Sequence, residues 1–424
     1  MKGLIRFLLL LFVFCLPLLP EEVGFRSASL PDMSVIRAIL FILTFSLILG
    51  LFLERKLMGD LWRYVREYTL PIALLSIFFA WRIFSSLLSP AGAATVITAV
   101  RDTLYFVIPF IAALVSLRGK RDVVLLATVI AISAALSALL GVVEYGTGSS
   151  LFAEMTDADS IWNTFNAGSE FKGVMSTFPH PLAFGSYLAA AIIISSLLLV
   201  GSNPIGLKLF AIASIGICLA GIFVSTSRGA LASLVVGIAW ATLFYAYKIY
   251  RRVRRSQQVF AFMGVVLPVF LGLLVAVAIL GFALIKGSNA KQAGSSMMRV
   301  LQVQLSIPLM TERPLLGYGV GKAAETLDMK AETVDIYYLT VALECGLVGL
   351  FIFLIMMLNF VQRSARAFVQ NRQPFFMILS MFFVAESTQL LVLSLKQALP
   401  MLYIGFAVLL VLEKQQTSIK GKHA

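Results

Sequence analysis

The chain has 424 residues, of which 60% are hydrophobic and 13% are charged, and its mean hydropathy is +0.94. A soluble globular chain carries about 25% charged residues, so this composition excludes a water-soluble protein and predicts a polytopic membrane protein. The net charge of +13 does not indicate nucleic-acid binding, because basic loops hold the cytoplasmic side of membrane proteins. With three cysteines inside apolar runs and two histidines, we expect no disulfide, no bound metal and no cofactor.

Apolar runs of about 20 residues predict an all-α fold with about twelve transmembrane helices in a single polytopic membrane domain, 1–424. The first run has the flanking Lys2 and Arg6 of a signal peptide, but no small-residue cleavage site follows it, and we interpret it as a span. The predicted spans are 3–20, 35–53, 70–89, 100–117, 122–144, 181–200, 207–226, 229–248, 258–286, 337–360, 374–393 and 397–413.

The basic residues predict the orientation of these spans. The strongest basic clusters, "RGKR" and "RRVRR", fall on the same side as the N-terminus, and so does the basic C-terminal tail. Because such clusters stay in the cytoplasm, we expect both termini to be cytoplasmic. The two longest non-apolar stretches, 145–180 and 287–336, are then extracytoplasmic loops, and we expect short amphipathic helices in the larger one.

A group of basic residues remains on the predicted outer side, at helix ends or just inside the membrane. A charge in a span is costly and usually lines a cavity or meets a partner. Any one of them could instead be an anchor at a lipid headgroup, but anchors would be spread over both faces. The group consists of Arg82, Arg101, Lys172, Arg228, Arg299 and Arg313.

The stretch "STSRGA" lies between the seventh and eighth spans. Ser225, Thr226, Ser227 and Gly229 predict a tight turn that caps the next helix. Arg228 then stands at the positive end of that helix, where a guanidinium and free backbone N–H groups favour a phosphate. The alternative is a capped hairpin with one anchoring arginine.

Two further stretches come from the larger loop and the span after it. "RPLLGYGVG" follows the stretch that carries Arg299, and its glycines resemble neither a complete nucleotide loop nor a potassium filter, so a tight turn is the simpler interpretation. "DIYYLTVALECGLVGL" begins at Asp335, which is either a helix cap or a general base, and places Glu344 inside the membrane.

Four stretches together resemble the O-antigen ligase and Wzy polymerase superfamily of bacterial cell-envelope proteins. The resemblance covers roughly residues 165–360, and the order of the stretches makes it specific. They are "KGVMSTFPHPLAFGSYLA", "STSRGALASLVVG", "RPLLGYGVG" and "DIYYLTVALECGLVGL".

This resemblance implies a metal-independent, inverting glycosyltransferase of the bacterial inner membrane. Its donor would be an undecaprenyl-diphosphate-linked glycan. Its partners would be a glycan acceptor and the lipid bilayer, with a chain-length regulator and a flippase as further candidates. Arg228 and Arg299 would hold the diphosphate, and Asp335 would be the base. The residues expected to bind substrate around them are Lys172, His180, Ser225, Ser227, Arg313 and Tyr338.

One departure from the family bears on the type of enzyme. Ligases of the superfamily usually have His-Asn where this chain has Asp335 and Ile336, so we favour a polysaccharide polymerase over a ligase. A flippase or transporter of lipid-linked sugars is the alternative from another class, and Glu344 and Glu386 inside spans are the best argument for it. The gathering of cations on the outer side favours chemistry at that face.

Overall fold

The computed structural model describes residues 1–20, 24–27, 30–148, 173–250, 290–327, 334–371, 373–393 and 398–420. Over these ranges the protein is helical, apart from an antiparallel hairpin of two short strands, β1 (Gly24–Ser27) and β2 (Leu30–Ser34). The predicted all-α membrane fold is confirmed. The helices, in chain order, are α1 (Lys2–Cys15), α2 (Val35–Leu53), α3 (Arg55–Glu67), α4 (Thr69–Leu87), α5 (Ala93–Ser116), α6 (Lys120–Thr147), α7 (Pro181–Ser195), α8 (Ile205–Ser225), α9 (Arg228–Tyr250), α10 (Ala290–Glu312), α11 (Ala323–Thr326), α12 (Tyr337–Asn371), α13 (Pro374–Gln389) and α14 (Leu399–Lys420).

Eight helices in the described ranges are long and apolar enough to cross a membrane: α2, α4, α5, α6, α7 with its extension to Leu198, α8, α9 and α12. The span expected at 3–20 is not among these eight, because α1 has 14 residues and is about 21 Å long, against a hydrocarbon core of about 30 Å. The chain continues beyond α1 to Pro17, whose carbonyl accepts a hydrogen bond from the hydroxyl of Thr177, so this span stays a prediction. One face of α1 packs against the protein, with Leu9 and Phe12 fully buried, while Phe7 is 61% exposed. The span expected at 258–286 lies outside the described residues.

The centre of the bundle is α7, whose membrane-length segment, Pro181–Leu198, is 83% buried. Small residues let its neighbours approach closely, as is common for membrane helices. A Cβ at Gly185 would lie 2.4 Å from Cβ of Ser227, and a Cβ at Gly221 would lie 2.6 Å from Cδ1 of Leu188. The turn between α8 and α9 is therefore held against α7.

The larger loop differs from the expectation of short amphipathic helices. Within its described residues, 290–327 and 334–336, the first element is one long helix, α10, of 23 residues, and the second is the short α11, of four residues. Gln302 and Ser306, four residues apart, form the buried stripe of α10. A polar stripe of this kind carries little of the hydrophobic periodicity from which a helix is predicted.

The helix α12 is interrupted at Gly346, whose φ of 69° and ψ of 179° are not helical. A Cβ at this position would lie 2.1 Å from the carbonyl oxygen of Leu315, so only glycine fits. The interruption frees backbone carbonyls inside an apolar segment, where each must find another donor. One of them, the carbonyl of Cys345, accepts a hydrogen bond from the indole N–H of Trp81 at 2.9 Å.

The glycine-rich stretch "GYGVG" supplies the other donors. The backbone N–H of Tyr318 donates to the carbonyl of Leu343 at 2.8 Å, and that of Gly319 donates to the carbonyl of Glu344 at 2.9 Å. The expected tight turn is confirmed, and it has a structural partner that the sequence did not indicate. The backbone N–H groups of the turn thus supply hydrogen bonds to the carbonyls that the interruption of α12 leaves free.

The two ends of the molecule carry different charged groups. One end holds the N-terminus, where the Met1 amino group pairs with Glu54 at 2.8 Å, and also Arg363, which pairs with Glu413 at 2.6 Å. Arg363 lies 17 residues beyond the interruption at Gly346, about 26 Å along the second part of α12, and Tyr337 lies nine residues before that interruption. The start of α12 is therefore at the opposite end of the bundle from the N-terminus. That the N-terminal end is cytoplasmic stays a prediction.

Candidate functional site

The turn between α8 and α9 has the geometry expected from "STSRGA". Thr226 ends α8 in the left-handed conformation, with φ of 57°. The backbone N–H of Ser227 donates to Oγ of Ser225 at 3.3 Å, and that of Ala230 donates to Oγ of Ser227 at 3.4 Å. Both serines are buried. Their hydroxyls build the turn, and the substrate-binding role expected for them stays a prediction.

Arg228 is the first residue of α9 and therefore lies at the positive end of its helix dipole. Its guanidinium is partly exposed, but its Nη2 atom is buried and has no hydrogen-bond partner among the described residues. A buried charged donor without an acceptor is costly. An anion bound at this helix end would satisfy it.

Asp335 lies just before α12 and contacts two residues of α10. Its Oδ2 atom is 3.2 Å from Nε of Arg299, and its backbone N–H donates to Oε1 of Gln302 at 3.0 Å. Burial raises the pKa of Asp335, and the charge of Arg299 and its hydrogen bond offset only part of the rise. About a quarter of each side chain of the pair is exposed. Asp335 is therefore an accessible carboxylate bound to a cation, with a proton affinity above that of an ordinary aspartate.

His180 is the N-cap of α7, and its Nδ1 atom accepts a hydrogen bond from the backbone N–H of Leu182 at 3.1 Å. Burial, and then the charge of Arg299, lower its pKa to about 4. The imidazole is consequently neutral at physiological pH. A substrate contact by His180 stays a prediction.

Backbone contacts join the turn at Arg228 to the start of α7. The N–H of Val174 donates to the carbonyl of Val224 at 3.3 Å. A Cβ at Gly173 would lie 2.9 Å from the carbonyl oxygen of Ser225 and 3.1 Å from Cβ of Pro181. These residues pack tightly enough to fix the turn relative to His180, which directly precedes Pro181.

The end of α13 joins the same turn to the start of α12. A Cβ at Gly229 would lie 2.6 Å from Cγ2 of Val392, and the backbone N–H of Tyr337 donates to the carbonyl of Leu390 at 3.0 Å. Arg228 and Asp335 are thus each one or two residues from a contact with the same short segment. The structure gathers Arg228, Arg299, Asp335 and His180 at one end of the bundle.

Arg313 does not join this group. It follows the last residue of α10, 14 residues beyond Arg299, which places it about 21 Å further along the helix axis. There its exposed guanidinium lies over the ring of Tyr318, with Cζ 5.6 Å from the ring centre. Arg313 therefore lies apart from Arg299, and the substrate-binding role expected for it stays a prediction.

Tyr338 packs against the bundle instead of facing the end of the molecule. Its hydroxyl donates to the carbonyl of Ser387 at 2.9 Å, and its ring lies 5.9 Å from that of Phe353. A substrate contact by Tyr338 stays a prediction, and so does the role expected for Lys172, which lies outside the described residues.

A second charged group lies inside the bundle below the start of α12. Arg82 is 1% exposed, and its Nη2 atom lies 3.1 Å from Oδ2 of Asp102 and 3.8 Å from Oε2 of Glu344. Its Nη1 atom donates to the hydroxyl of Tyr337 at 3.4 Å. Oε1 of Glu344 accepts a hydrogen bond from the backbone N–H of Gly321 at 2.8 Å. The partner that Glu344 needs inside the membrane is therefore Arg82.

Asp102 was missed by the sequence analysis. The available signal was one acid and one base in successive apolar spans, since charges buried in a membrane protein usually pair. Arg101, its neighbour, behaves differently: its side chain is 62% exposed, with Nε 3.9 Å from Oδ1 of Asp102. Of these two arginines, Arg82 is therefore buried in the bundle and Arg101 lies at the surface.

These features define a polytopic membrane protein with a basic, carboxylate-containing site at one end of its helical bundle. Residues 213–354 match the family model described as O-antigen ligase, which confirms the resemblance to that superfamily. The matched range contains Arg228, Arg299 and Asp335. No curated protein matches the chain. The family match supports a role of the ligase or polymerase type, with lipid-linked glycans as substrates, in a bacterial inner membrane.

Proposed function

We propose that this protein is a polysaccharide polymerase that joins undecaprenyl-diphosphate-linked oligosaccharide repeat units on the outer face of the inner membrane. The observation that carries the proposal is the unsatisfied Nη2 atom of Arg228 at the end of the bundle that also holds the Arg299–Asp335 pair. This arrangement supplies cations for a diphosphate and a carboxylate for a hydroxyl proton. Its place at the end opposite the N-terminus agrees with an extracytoplasmic site.

In the proposed reaction, Arg228 and Arg299 bind the diphosphate of the donor. Negative charge develops on this group as it leaves, so fixed cations stabilise the transition state more than the bound donor. Arg299 pairs with Asp335 through Nε, and its terminal nitrogens are the donors that a diphosphate would take. Metal-independent catalysis follows from this proposal, because the two guanidinium groups supply the positive charge.

Asp335 acts as the general base in this proposal. It takes the proton of an acceptor hydroxyl while the oxygen attacks the anomeric carbon of the donor. The bond from that carbon to the diphosphate oxygen breaks on the opposite side, and undecaprenyl diphosphate leaves with the electron pair. The configuration at the anomeric carbon is inverted, and Asp335 then returns its proton to water.

The ion pair also links donor binding to the strength of the base. Arg299 lowers the proton affinity of Asp335, although burial outweighs that effect. A diphosphate bound to Arg299 offsets its positive charge, so the carboxylate becomes more basic when the donor is in place. Asp335→Asn is expected to lower the rate roughly a hundred- to ten-thousandfold if Asp335 is the base. A mild effect would contradict this role.

A ligase that transfers a finished chain to lipid A core or to a protein is the second candidate. The description of the matched family favours it, and the carboxylate in place of His-Asn favours the polymerase. A flippase is the candidate from another class. It is less well supported, because Glu344 bonds to Arg82 and to a backbone N–H and is 3% exposed.

The experiment that tests the proposal measures lipid-linked glycan in a deletion strain of the source organism, with and without the restored gene. Single repeat units that accumulate on the outer face, and that disappear on complementation, support a polymerase. Long chains left on the carrier would contradict it in favour of a ligase. Units trapped on the cytoplasmic face would contradict both enzymes in favour of a flippase.

A further inference from the structure

The helix α3 lies at the end of the molecule opposite the candidate glycan site. It folds back after α2, and its Leu57 is fully buried against α2, since a Cβ at Gly50 would lie 3.1 Å from Cδ2 of Leu57. Tyr64, two turns later, is 6% exposed and has the ammonium group of Lys414 over its ring at 3.8 Å. These contacts fix α3 to the bundle along one face.

A second face of α3 is apolar but exposed. Met58 is 45% exposed and Trp62, one turn later, is 57% exposed. The preceding residues at the end of α2, Phe52 and Leu53, are 80% and 68% exposed. Such exposure is expected where a helix meets lipid, so this strip continues the lipid-facing surface of α2 onto α3. Tryptophan at that level is typical of a membrane–water interface.

The acidic residues of α3 are already neutralised by the rest of the protein. Asp60 accepts hydrogen bonds from Lys2 and from Arg63, and Glu67 lies 3.7 Å from the ammonium group of Lys414. Among the described residues, nothing forms an ion pair with Arg55, Lys56 or Arg66, all of which are exposed. The helix therefore has positive charge that the protein itself does not balance.

Helical geometry places two of these cations beside the apolar strip. At 100° per residue, Arg55 and Arg66 are about 20° apart around the axis, and Trp62 is about 20° from Arg55 on the other side. Eleven residues separate the two arginines, or about 16 Å along the helix. An arginine at the boundary of an apolar face reaches the phosphate level of a bilayer while its stem stays in apolar surroundings.

We infer that α3 is an interfacial helix that binds anionic phospholipid headgroups, with Arg55 and Arg66 on phosphates and Trp62 at the acyl boundary. The charge complementarity and the continuity with the lipid-facing side of α2 favour lipid over a second protein chain. The inference does not rest on the proposed polymerase activity. It concerns the other end of the bundle and a different ligand.

The test uses the full-length protein in nanodiscs of phosphatidylcholine that contain a minor fraction of brominated phosphatidylglycerol or, separately, of brominated phosphatidylcholine. Bromine quenches nearby tryptophan, and the difference between wild type and Trp62→Phe isolates the signal at α3. Each cation near an anionic surface contributes about 1 kcal/mol, which is roughly a fivefold enrichment. We expect the anionic probe to quench Trp62 more strongly at equal mole fraction.

The variant Arg55→Gln/Arg66→Gln is expected to lose this preference. The matched control, Arg63→Gln/Arg121→Gln, removes two charges at the same end of the molecule, one already bonded to Asp60 and one on α6, and should keep it. The single variant Arg66→Gln should lower the enrichment of the anionic lipid about fivefold, and it serves as the test if the double variant folds poorly. Equal quenching by both lipids in wild type, or an equal loss in the control, would overturn the inference.

Discussion

The two arginine groups at the end of the bundle opposite the N-terminus differ in the carboxylates that surround them. Arg82 is buried and bonded to Asp102, Glu344 and Tyr337. Arg228 forms no ion pair in the described part of the chain; its buried Nη2 atom lacks a hydrogen-bond partner, as do the Nε atoms of Arg82 and Arg299. Arg299 shares its guanidinium with a single, partly exposed carboxylate. The sequence gives no sign of this difference, since all three are arginines at the edges of apolar segments.

This difference distinguishes a charge that holds helices together from a charge that can bind a ligand. A buried arginine between two carboxylates leaves no positive charge for a ligand, and it ties helices together. An arginine at a helix start with an unused donor has charge to offer an anion. Substitution of Arg82 should therefore mainly lower stability, whereas substitution of Arg228 or Arg299 should mainly lower activity.

The largest effect is expected at Arg82. Arg82→Ala leaves Asp102 and Glu344 buried beside each other without their cation, which should lower the free energy of unfolding by about 3–5 kcal/mol. Thermal unfolding of the purified protein measures it. Arg101→Ala, whose side chain is 62% exposed, is the control and should cost less than about 1 kcal/mol. A normal melting temperature for Arg82→Ala would remove the distinction drawn between the two groups.

The reverse pattern is expected at Arg228 and Arg299. Arg228→Ala and Arg299→Ala should lower glycan transfer roughly a hundred- to a thousandfold, the usual loss for one donor of a preorganised anion site. Their melting temperatures should stay close to that of the wild type. Arg101→Ala is the control, because it removes an exposed cation on α5. Normal polymer from both site variants would contradict the diphosphate-binding role.

The pairing of Arg299 with Asp335 can be sharpened by a pH profile. A base must be unprotonated, so activity should fall as pH falls through the folded pKa of Asp335, which burial raises above the usual 3.8. Arg299→Gln removes the charge that holds this pKa down, so the acid limb of its residual activity should move to higher pH. Arg299→Lys keeps the charge and should leave the limb near its original position. An unchanged limb in Arg299→Gln would contradict the coupling.

The last effect is confined to acidic pH and concerns His180, a neutral member of the site. Its folded pKa of about 4 lies below the ordinary 6.5, so the unfolded chain takes up the proton first. Stability should therefore decrease as pH falls from about 6.5 towards 4 and be independent of this group above that window. His180→Asn keeps a capping acceptor and should abolish the dependence, whereas His423→Asn should not. His180→Ala should cost about 1 kcal/mol through the lost cap.

Local features of the site were predictable from the sequence, whereas its long-range pairings were not. The turn at Ser225–Ser227 follows from a short motif in which cap, helix start and charge lie close together, whereas the association of Arg299 with Asp335, 36 positions apart, was expected only from the family resemblance. Arg82 is 20 positions from Asp102 and 262 positions from Glu344. A single sequence does not show which residues of separate helices face each other. The long helix α10 was missed because its buried stripe is polar.

The interrupted helix α12 has a consequence for how the chain enters the membrane. A transmembrane segment with an internal break cannot satisfy its own backbone in lipid, so on its own it is an incomplete insertion unit. Residues 315–319, which complete it, precede the break by about 30 positions. At roughly 5–20 residues per second, they leave the ribosome a few seconds before Gly346 does. The order of synthesis thus makes the missing hydrogen-bond donors available before the segment that requires them is complete.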